Sequence, residues 1–486
     1  LAGAGALALS VPLAIAIVVL LVILTLSYEQ TIHAYPGGGG AYIVARDNLG
    51  ELPAQTAGAA LLTDYILTVA VSISSGVAQI VSAFPALDAW RVEIAVLMVA
   101  AVTILNLRGV KESGRVFAVP TYFFLLMAFL TVGVGLTRFL AGTLPMVSNP
   151  PPFPSEEVLP LTLFLVLRAF ASGTTALTGV EAISNGITAF KEPRSRNAGQ
   201  TLIAMSLILG VLMLGITFLA REVGAVPSET GETVISQLAR TVLDGRGLYL
   251  AAIASTTLIL LMAANTAYAD FPRLAALQAG DGYLPRQLTF KGSRLVFSRG
   301  ILALGLIASL LIIAFRASVA QLIPLYGSGV FLSFTLSQSG MARRWWRVGR
   351  LRAGEEIRDA GSTLRSDKGW KSKLLINGAG AFVTLIVMGV FVTTKFSEGA
   401  WIIVVLVPAL VFVFLRIHHH YQMVAGRLSL DDYQPELPPR RHQVIMPVSG
   451  VHQGTLAALR YAQLLGSDVT AVYVSMDTDE TEKLRH

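Results

Sequence analysis

The sequence predicts an all-α protein that crosses a membrane many times, and three observations support this. Of the 486 residues, 54% are hydrophobic and only 14% are charged, whereas about 25% of the residues of an ordinary soluble domain are charged. Several apolar runs are long enough to cross the hydrocarbon core of a bilayer. Most lysines and arginines lie in the connections between these runs, as membrane topology requires.

The apolar windows predict about eleven transmembrane helices. Their positions are 10–33, 52–83, 92–107, 116–140, 159–190, 201–220, 248–270, 301–315, 319–341, 374–396 and 400–417. The chain starts without a methionine, and LAGAGALAL at residues 1–9 is typical of the end of another apolar segment. We therefore expect the first helix of the protein to be missing from this chain.

The basic connections predict the orientation of the helices. If the connection after the first predicted span is cytoplasmic, the basic stretches at 108–115, 191–196, 273–299 and 343–373 share that side. An excess of Lys and Arg on the cytoplasmic side is the usual bias. We expect a multi-pass protein of the cell membrane with a cytoplasmic C terminus. The net charge of +7 is modest and no DNA-reading motif is present, so the expected partner is the lipid bilayer and not nucleic acid.

The C-terminal part predicts a linker and the start of a soluble domain. We expect a transporter-like membrane domain at 1–417, a proline- and charge-rich linker at 418–441, and an α/β segment at 442–486. In that segment HQVIMPV, GVHQGTLAALRYAQLLG and DVTAVYVSM predict strand, helix and strand in a parallel sheet. It stops just after the second strand, so we expect the domain to be truncated. For HHH at 418–420 we expect a role at the membrane interface and not a metal site, because consecutive side chains on a helix point in different directions.

The segment DYILTVAVS places polar residues on one face of a predicted span. Thr68 and Ser72 follow Asp64 at i+4 and i+8, with Tyr65 alongside. Ionisable residues in hydrocarbon usually face the bundle interior and mark an ion or substrate path. Hydroxyls alone are explained by bonds to carbonyls one turn earlier and by close packing, but Asp64 on the same face favours a row of oxygen ligands.

The segment SGTTALTGVEAISNG, residues 172–186, predicts an interrupted helix. Gly173, Gly179 and Gly186 weaken it, because glycine costs about 1 kcal/mol in a helix interior relative to alanine, and we expect the break at Gly173 and Gly179. Thr178 precedes Glu181 by three residues and lies on the same face. Unwound backbone at membrane depth is tolerated where it lines a cavity or is covered by protein. The alternative is a glycine-rich packing face with a neutral, hydrogen-bonded Glu181.

Three further features are less specific. Tyr326 lies in the glycine-containing stretch LIPLYGSGVFLSF and is within reach of the bundle centre, although alone it indicates an ordinary buried tyrosine. Arg168 is expected to pair with an acidic residue or to reach the outer interface. The Gly37–Gly40 run lacks the GK[ST] of a phosphate loop, so we expect a hinge-like cytoplasmic connection.

Four motifs together resemble the amino acid-polyamine-organocation superfamily of secondary transporters. They are YPGGGGAYIVARDNLG at 35–50, NLRGVKESG at 106–114, LTGVEAIS at 177–184 and ANTAYADFPRLAALQAGDGYLPRQL at 264–288. The resemblance covers residues 1–417 and implies the LeuT-type inverted-repeat fold, with a site at the midplane between the repeats. The family's broken first helix, which supplies an aspartate and a tyrosine to the site, would precede Leu1.

Within that superfamily, DYILTVAVSIS, the basic linker and HQVIMPVSGVHQGT resemble the KimA/KUP-type potassium uptake transporters. The resemblance implies proton-coupled potassium symport and a cytoplasmic domain similar to universal stress proteins. It also implies a homodimer through the tail and a cyclic dinucleotide regulator. The residues that match the family's cation-binding positions are Asp64, Tyr65, Thr68, Ser72, Thr178, Glu181 and Tyr326.

The residue types fit this chemistry. Potassium leaving water needs oxygen ligands, and hydroxyls, carboxylates and freed carbonyls supply them. A buried carboxylate favours its neutral form and a nearby cation favours its charged form, so we expect Glu181 or Asp64 to couple protons to K+. The predicted function is K+/H+ symport, with no cofactor and no enzymatic activity. Two alternatives are a proton-coupled amino-acid permease, in which amides at helix breaks hold the substrate carboxylate, and a transporter-like sensor that signals through its tail.

Overall fold

The structure is a computed structural model that describes residues 9–38, 40–109, 114–148, 150, 162–228, 231–243, 245–292, 296–352, 354–359, 361–429 and 443–473. The chain divides into two compact units, Leu1–Tyr421 and Gln422–His486. Where the first unit is described, its regular structure is helical apart from one short hairpin, and the described part of the second unit contains a small parallel sheet.

Helices make up almost all of the first unit. They are α1 Ser10–Ala34, α2 Gly40–Leu49, α3 Glu51–Ala83, α4 Arg91–Leu107, α5 Gly114–Leu140, α6 Leu163–Thr174, α7 Ala182–Asn185, α8 Arg194–Glu222, α9 Val234–Val242, α10 Arg246–Gly280, α11 Ser298–Ala314, α12 Val319–Val348, α13 Trp370–Lys395 and α14 Ala400–Arg427. A helix satisfies its backbone hydrogen bonds internally, which is what a lipid-embedded segment requires.

The described residues contain ten helical segments that are long and apolar enough to span a membrane. One of them, Leu163–Asn185, combines α6, a break and α7. The helix α11 is apolar but shorter, at 17 residues. The predicted spans therefore correspond to ten long segments and one shorter helix, which confirms a mostly helical, multi-pass membrane protein. Residues 1–8, on which the expectation of a preceding helix rested, lie outside the described residues.

The helices α3 and α12 lie inside the bundle. In their most apolar windows 56% and 67% of the residues are buried, compared with 17% for α5. The helix α3 packs against α10 and α12, and α12 packs against α13, while α1 packs against α8. The buried polar side chains of α3 and α12 consequently face protein and not lipid, which is where intramembrane polar groups are tolerated.

A short antiparallel hairpin, β1 Glu356–Arg358 and β2 Thr363–Arg365, connects α12 to α13. Arg347 at the end of α12 binds both carboxylate oxygens of Asp359, at 2.8 and 3.0 Å. The Gly361 amide donates to Asp47 Oδ2 of α2 at 2.9 Å. Burial raises the pKa of Asp47, and the Gly361 amide opposes that rise. The hairpin is thereby tied to both α2 and α12.

The second unit contains β3 Gln443–Pro447, α15 Gln453–Leu465 and β4 Asp468–Val472. The strands β3 and β4 are parallel, with Gln443 opposite Asp468, which confirms the predicted strand–helix–strand segment. The predicted linker at 418–441 begins within α14, because that helix continues to Arg427. Its remainder from 430, together with residues 474–486, lies outside the described residues.

Candidate cation site

The polypeptide leaves helical geometry between α6 and α7. A 3₁₀ turn at Thr175–Leu177 follows α6, Thr178 is extended, and Gly179 has a φ of +88°, a conformation that favours glycine. Gly173 is not part of the break, contrary to the sequence expectation. It lies within α6, where an added Cβ would come 2.5 Å from Ile17 Cδ1, so its small size serves the approach of α1.

A chain of hydroxyls joins α3, the break and α12. Thr68 Oγ1 donates to the Tyr326 hydroxyl at 3.1 Å, and that hydroxyl donates to Thr178 Oγ1 at 2.7 Å. The three residues are far apart in sequence, so only the packing of α12 against α3 and the break brings them together. The Tyr326 hydroxyl is therefore hydrogen-bonded both to α3 and to the break.

Two carboxyl groups are buried beside this chain. Asp64 and Glu181 are each 2% exposed, and they lie within electrostatic reach of each other. Neither Asp64 Oδ1 nor Glu181 Oε2 has a hydrogen-bond partner in the part of the chain that the structure describes. A buried polar group without a partner costs roughly 1–3 kcal/mol, and more when it is charged. These oxygens are thus available to a cation or a proton.

Tyr65 and Ser72 lie apart from the hydroxyl chain. The Tyr65 hydroxyl accepts a hydrogen bond from Asn185 Nδ2 at 2.7 Å, so the residue reaches α7 and not Tyr326. Ser72 is buried one turn beyond Thr68, and no hydrogen bond among the described residues links it to the cluster. The structure therefore brings together five of the seven predicted residues and places these two at the margins.

A cavity of about 610 Å³ reaches this region from the side of the basic connection after α10. Tyr65, which follows Asp64 directly, lines it together with Asn185 and Asp270. Basic side chains also line it, namely those of Arg46, Arg273 and Lys291. Asp270 lies within electrostatic reach of both Tyr65 and Glu181. The cavity thus ends at the turn of α3 that carries the buried carboxylate.

Two residues near the site were not singled out by the sequence. Tyr28 of α1 is completely buried and lies within electrostatic reach of Asp64 and Glu181. Asn185 bonds Tyr65. The signal for Asn185 was its position one helical turn after Glu181, whereas nothing local distinguishes Tyr28.

The glycine run after α1 also has a structural role. An added Cβ at Gly40 would lie 1.5 Å from Asn185 Oδ1, and one at Gly38 would lie 2.9 Å from the Asn185 carbonyl oxygen. The backbone of this connection can therefore pack directly against α7. The sequence predicted only a hinge-like connection here, because a steric role of this kind depends on a partner 145 residues away.

The electrostatics of the site favour a cation. The site residues are carboxylates and hydroxyls, and the C-terminal end of α6 directs partial negative charge toward the break. Arg168 of α6 is paired elsewhere, with Glu398, which also accepts a hydrogen bond from Lys395 Nζ at 2.9 Å. No Arg or Lys joins the hydroxyl chain or the two carboxyl groups among the described residues.

Comparison with known proteins places the chain in a family. The family model described as amino acid permease matches residues 1–419, and the one described as KimA potassium transporter C-terminal domain matches residues 440–486. The potassium transporter KimA of Bacillus subtilis is 43% identical over 460 residues, which cover 95% of this chain and 72% of that protein. The low-affinity putrescine importer PlaP of Escherichia coli K12 is 21% identical over 328 residues, 66% of this chain and 70% of the importer. The chain therefore belongs to the amino acid permease family of membrane transporters, which are not enzymes, and is a homologue of KimA.

Proposed function

We propose that this protein takes up potassium by K+/H+ symport across the cell membrane. The observation that carries the proposal is the pair of buried carboxyl groups, Asp64 and Glu181, each with an unpartnered oxygen beside the Thr68–Tyr326–Thr178 chain. Oxygen ligands without thiolate or imidazole suit a hard monovalent cation. The 43% identity to a protein named potassium transporter supports this choice of cargo.

The proposed roles divide between the two carboxyl groups. Asp64, Thr68, Thr178 and Tyr326 ligate a potassium ion that has shed its water. Glu181 takes and releases the coupled proton, because it lies at the helix break, where a backbone movement changes its exposure. Tyr65 and Asn185 separate this site from the cavity, and Ser72 extends the ligand row on α3.

The proposed direction of transport is inward, with the cavity facing the cytoplasm. The cavity opens on the side of the basic connections, which the positive-inside bias places in the cytoplasm. Two charges that enter together gain about 4.6 kcal/mol per 100 mV, at about 2.3 kcal/mol each. That energy corresponds to more than three decades of accumulation, which is sufficient for uptake from a dilute medium.

The membrane unit is proposed to have the LeuT-type inverted-repeat fold. The interrupted α6–α7 segment supports it, since discontinuous helices form the midplane site in such transporters. The tail is proposed to be similar to universal stress proteins, to contribute to a homodimer and to bind a cyclic dinucleotide regulator. Mass photometry and calorimetric titration of the full-length protein with a cyclic dinucleotide test these points. A monomer, or the absence of heat, would contradict them.

The central test is Glu181→Gln in proteoliposomes that contain the full-length protein. We expect rubidium uptake by the wild type to respond to an imposed proton gradient, and uptake by the variant to lose that response. The reason is that glutamine keeps the size of the side chain but cannot carry a proton. Uptake that stays coupled in the variant would rule out the role of Glu181.

The matched control is Glu29→Gln on α1. That side chain is 39% exposed and lies beside His33 at 3.3 Å, not beside the site. The control should transport like the wild type, with the same response to the proton gradient. If it loses coupling as Glu181→Gln does, the effect is not specific to the site.

Two other functions are distinguishable from potassium transport. An amino-acid permease would hold the substrate carboxylate with amides at its helix breaks, whereas the two buried carboxyl groups of the described site are better suited to a cation. Competition of rubidium uptake by amino acids or putrescine, together with failure to rescue growth of potassium-uptake-deficient cells, would favour a permease. A protein that binds potassium but does not move it would instead be a sensor.

A further inference from the structure

The inner end of α14 packs against the turn that follows α10. The His418 ring stacks on Tyr283, with centroids 4.1 Å apart and planes 11° from parallel. The Arg286 amide donates to the Tyr421 hydroxyl at 3.2 Å, and the Arg286 guanidinium lies 4.8 Å from the centre of that ring. The HHHY segment, for which the sequence predicted an interfacial role, therefore has a defined packing arrangement.

A pocket of about 450 Å³ lies beside this contact. Its lining combines an apolar wall with two basic side chains, Arg416 and His420. The apolar wall consists of Pro285, Phe412, Val413, Ile417 and Tyr421. No acidic side chain belongs to the lining. The guanidinium of Arg286, held on Tyr421, adds a third basic group at the same place.

The pocket is amphipathic along the direction of α14. Phe412 and Val413, which are 64% and 47% exposed, lie one turn before Arg416, on the part of the helix that is apolar enough to span a membrane. Arg416 and His420 lie toward the polar end of the helix. Apolar groups on the membrane side and basic groups at its boundary match the acyl chains and the phosphate of a phospholipid.

We propose that this pocket binds an anionic phospholipid. Arg416, His420 and Arg286 would hold its phosphate, and Phe412 and Val413 would contact the first part of an acyl chain. Free phosphate would leave that apolar wall unused, and the absence of acidic residues from the lining makes a negatively charged headgroup the complementary ligand. The site is independent of the transported cargo and lies on a different helix from the cation site.

The test uses the purified full-length protein and phosphatidylglycerol. Native mass spectrometry counts the lipid molecules retained, and thermal unfolding in phosphatidylcholine nanodiscs with and without phosphatidylglycerol gives a second readout. We expect Arg286→Gln combined with Arg416→Gln to weaken retention about 25-fold, since each basic residue near an anionic lipid contributes about fivefold in affinity. The variant should also lose the rise in melting temperature that phosphatidylglycerol gives the wild type.

Two further variants make the test decisive. Arg299→Gln removes an exposed arginine near the start of α11, outside the pocket, and should retain lipid as the wild type does. Val413→Trp should displace the acyl chain and weaken retention without a change of charge. Equal retention by the double variant and the wild type would overturn the proposal. So would full displacement of the lipid by inorganic phosphate, or a change of oligomeric state in the double variant, which would indicate that a second copy occupies the pocket.

Discussion

Two of the polar regions buried in the described part of the membrane unit differ in how fully their own side chains satisfy one another. Between α1 and α13, the Ser27 hydroxyl donates to Asn377 Oδ1 at 2.7 Å. Asn377 Nδ2 in turn donates to Gln30 Oε1 at 2.7 Å and to the Lys373 carbonyl at 2.8 Å. At the candidate cation site, in contrast, Asp64 and Glu181 each keep an oxygen without a partner among the described residues.

We expect such a contrast between a structural region and a binding region. Both regions are buried polar groups in a lipid-facing bundle, so burial alone does not distinguish them. The side chains of Ser27, Asn377 and Gln30 hydrogen-bond one another and hold two helices together, as polar side chains do in membrane bundles. The cation site leaves acceptor oxygens open, and open acceptors at low dielectric are stable only with a proton or a cation.

The largest expected effect is that of Asp64→Asn. The substitution keeps the shape of the side chain and removes its charge. A unit charge about 4 Å from a cation contributes about 4 kcal/mol at an effective dielectric of about 20, so affinity should fall on the order of a thousandfold. Rubidium uptake as a function of concentration measures this. If the variant takes up rubidium with wild-type affinity, Asp64 is not a ligand of the ion.

A smaller effect, on stability and not on transport, is expected for Asn377→Leu. Ser27 and Gln30 then lose their partner, at a cost of about 1–2 kcal/mol in the free energy of unfolding. Thermal unfolding in detergent and uptake per folded molecule measure the two quantities. Asp64→Asn is the matched comparison, because it should leave the melting temperature unchanged or raise it. If Asn377→Leu changes ion affinity instead, the two regions do not differ as proposed.

The smallest effect is expected for Tyr326→Phe. It removes the hydroxyl that joins Thr68 to Thr178, which contributes about 1 kcal/mol, or about fivefold in the rubidium KM. Coupling to protons should persist, because Glu181 is unchanged. Ser72→Ala serves as the control, since Ser72 makes no hydrogen bond to this chain among the described residues, and its expected change is smaller. An effect of Ser72→Ala equal to that of Tyr326→Phe would contradict the marginal position of Ser72 in the site.

Much of the fold was predictable because its signals are local. The apolar windows located all the long helices, and the strand–helix–strand pattern of the tail was correct. Glu181 could be singled out as a candidate site residue because a carboxylate inside an apolar run has a high free-energy cost in the bilayer. The position of the break was less accurate. Gly173 and Gly179 look equivalent in sequence, but only Gly179 has a positive φ, and Gly173 instead allows α1 to approach.

The class of the protein, the location of its membrane spans and the residue types of its candidate site could be predicted from the sequence alone. These follow from hydrophobicity, helical periodicity and charge placement, which act between near neighbours along the chain. The tertiary structure was needed to show that Tyr326 joins Thr68 to Thr178. It was also needed to show that Tyr65 bonds Asn185, and that Tyr28 lies within electrostatic reach of both carboxyl groups. Such contacts depend on how separate helices pack. The sequence does not show whether the hydroxyl of a tyrosine has a hydrogen-bond partner. The segment SGTTALTGVEAISNG thus predicted a functional role for its carboxylate. The packing of α3 and α12 against its helix break shows which polar groups lie near that carboxylate.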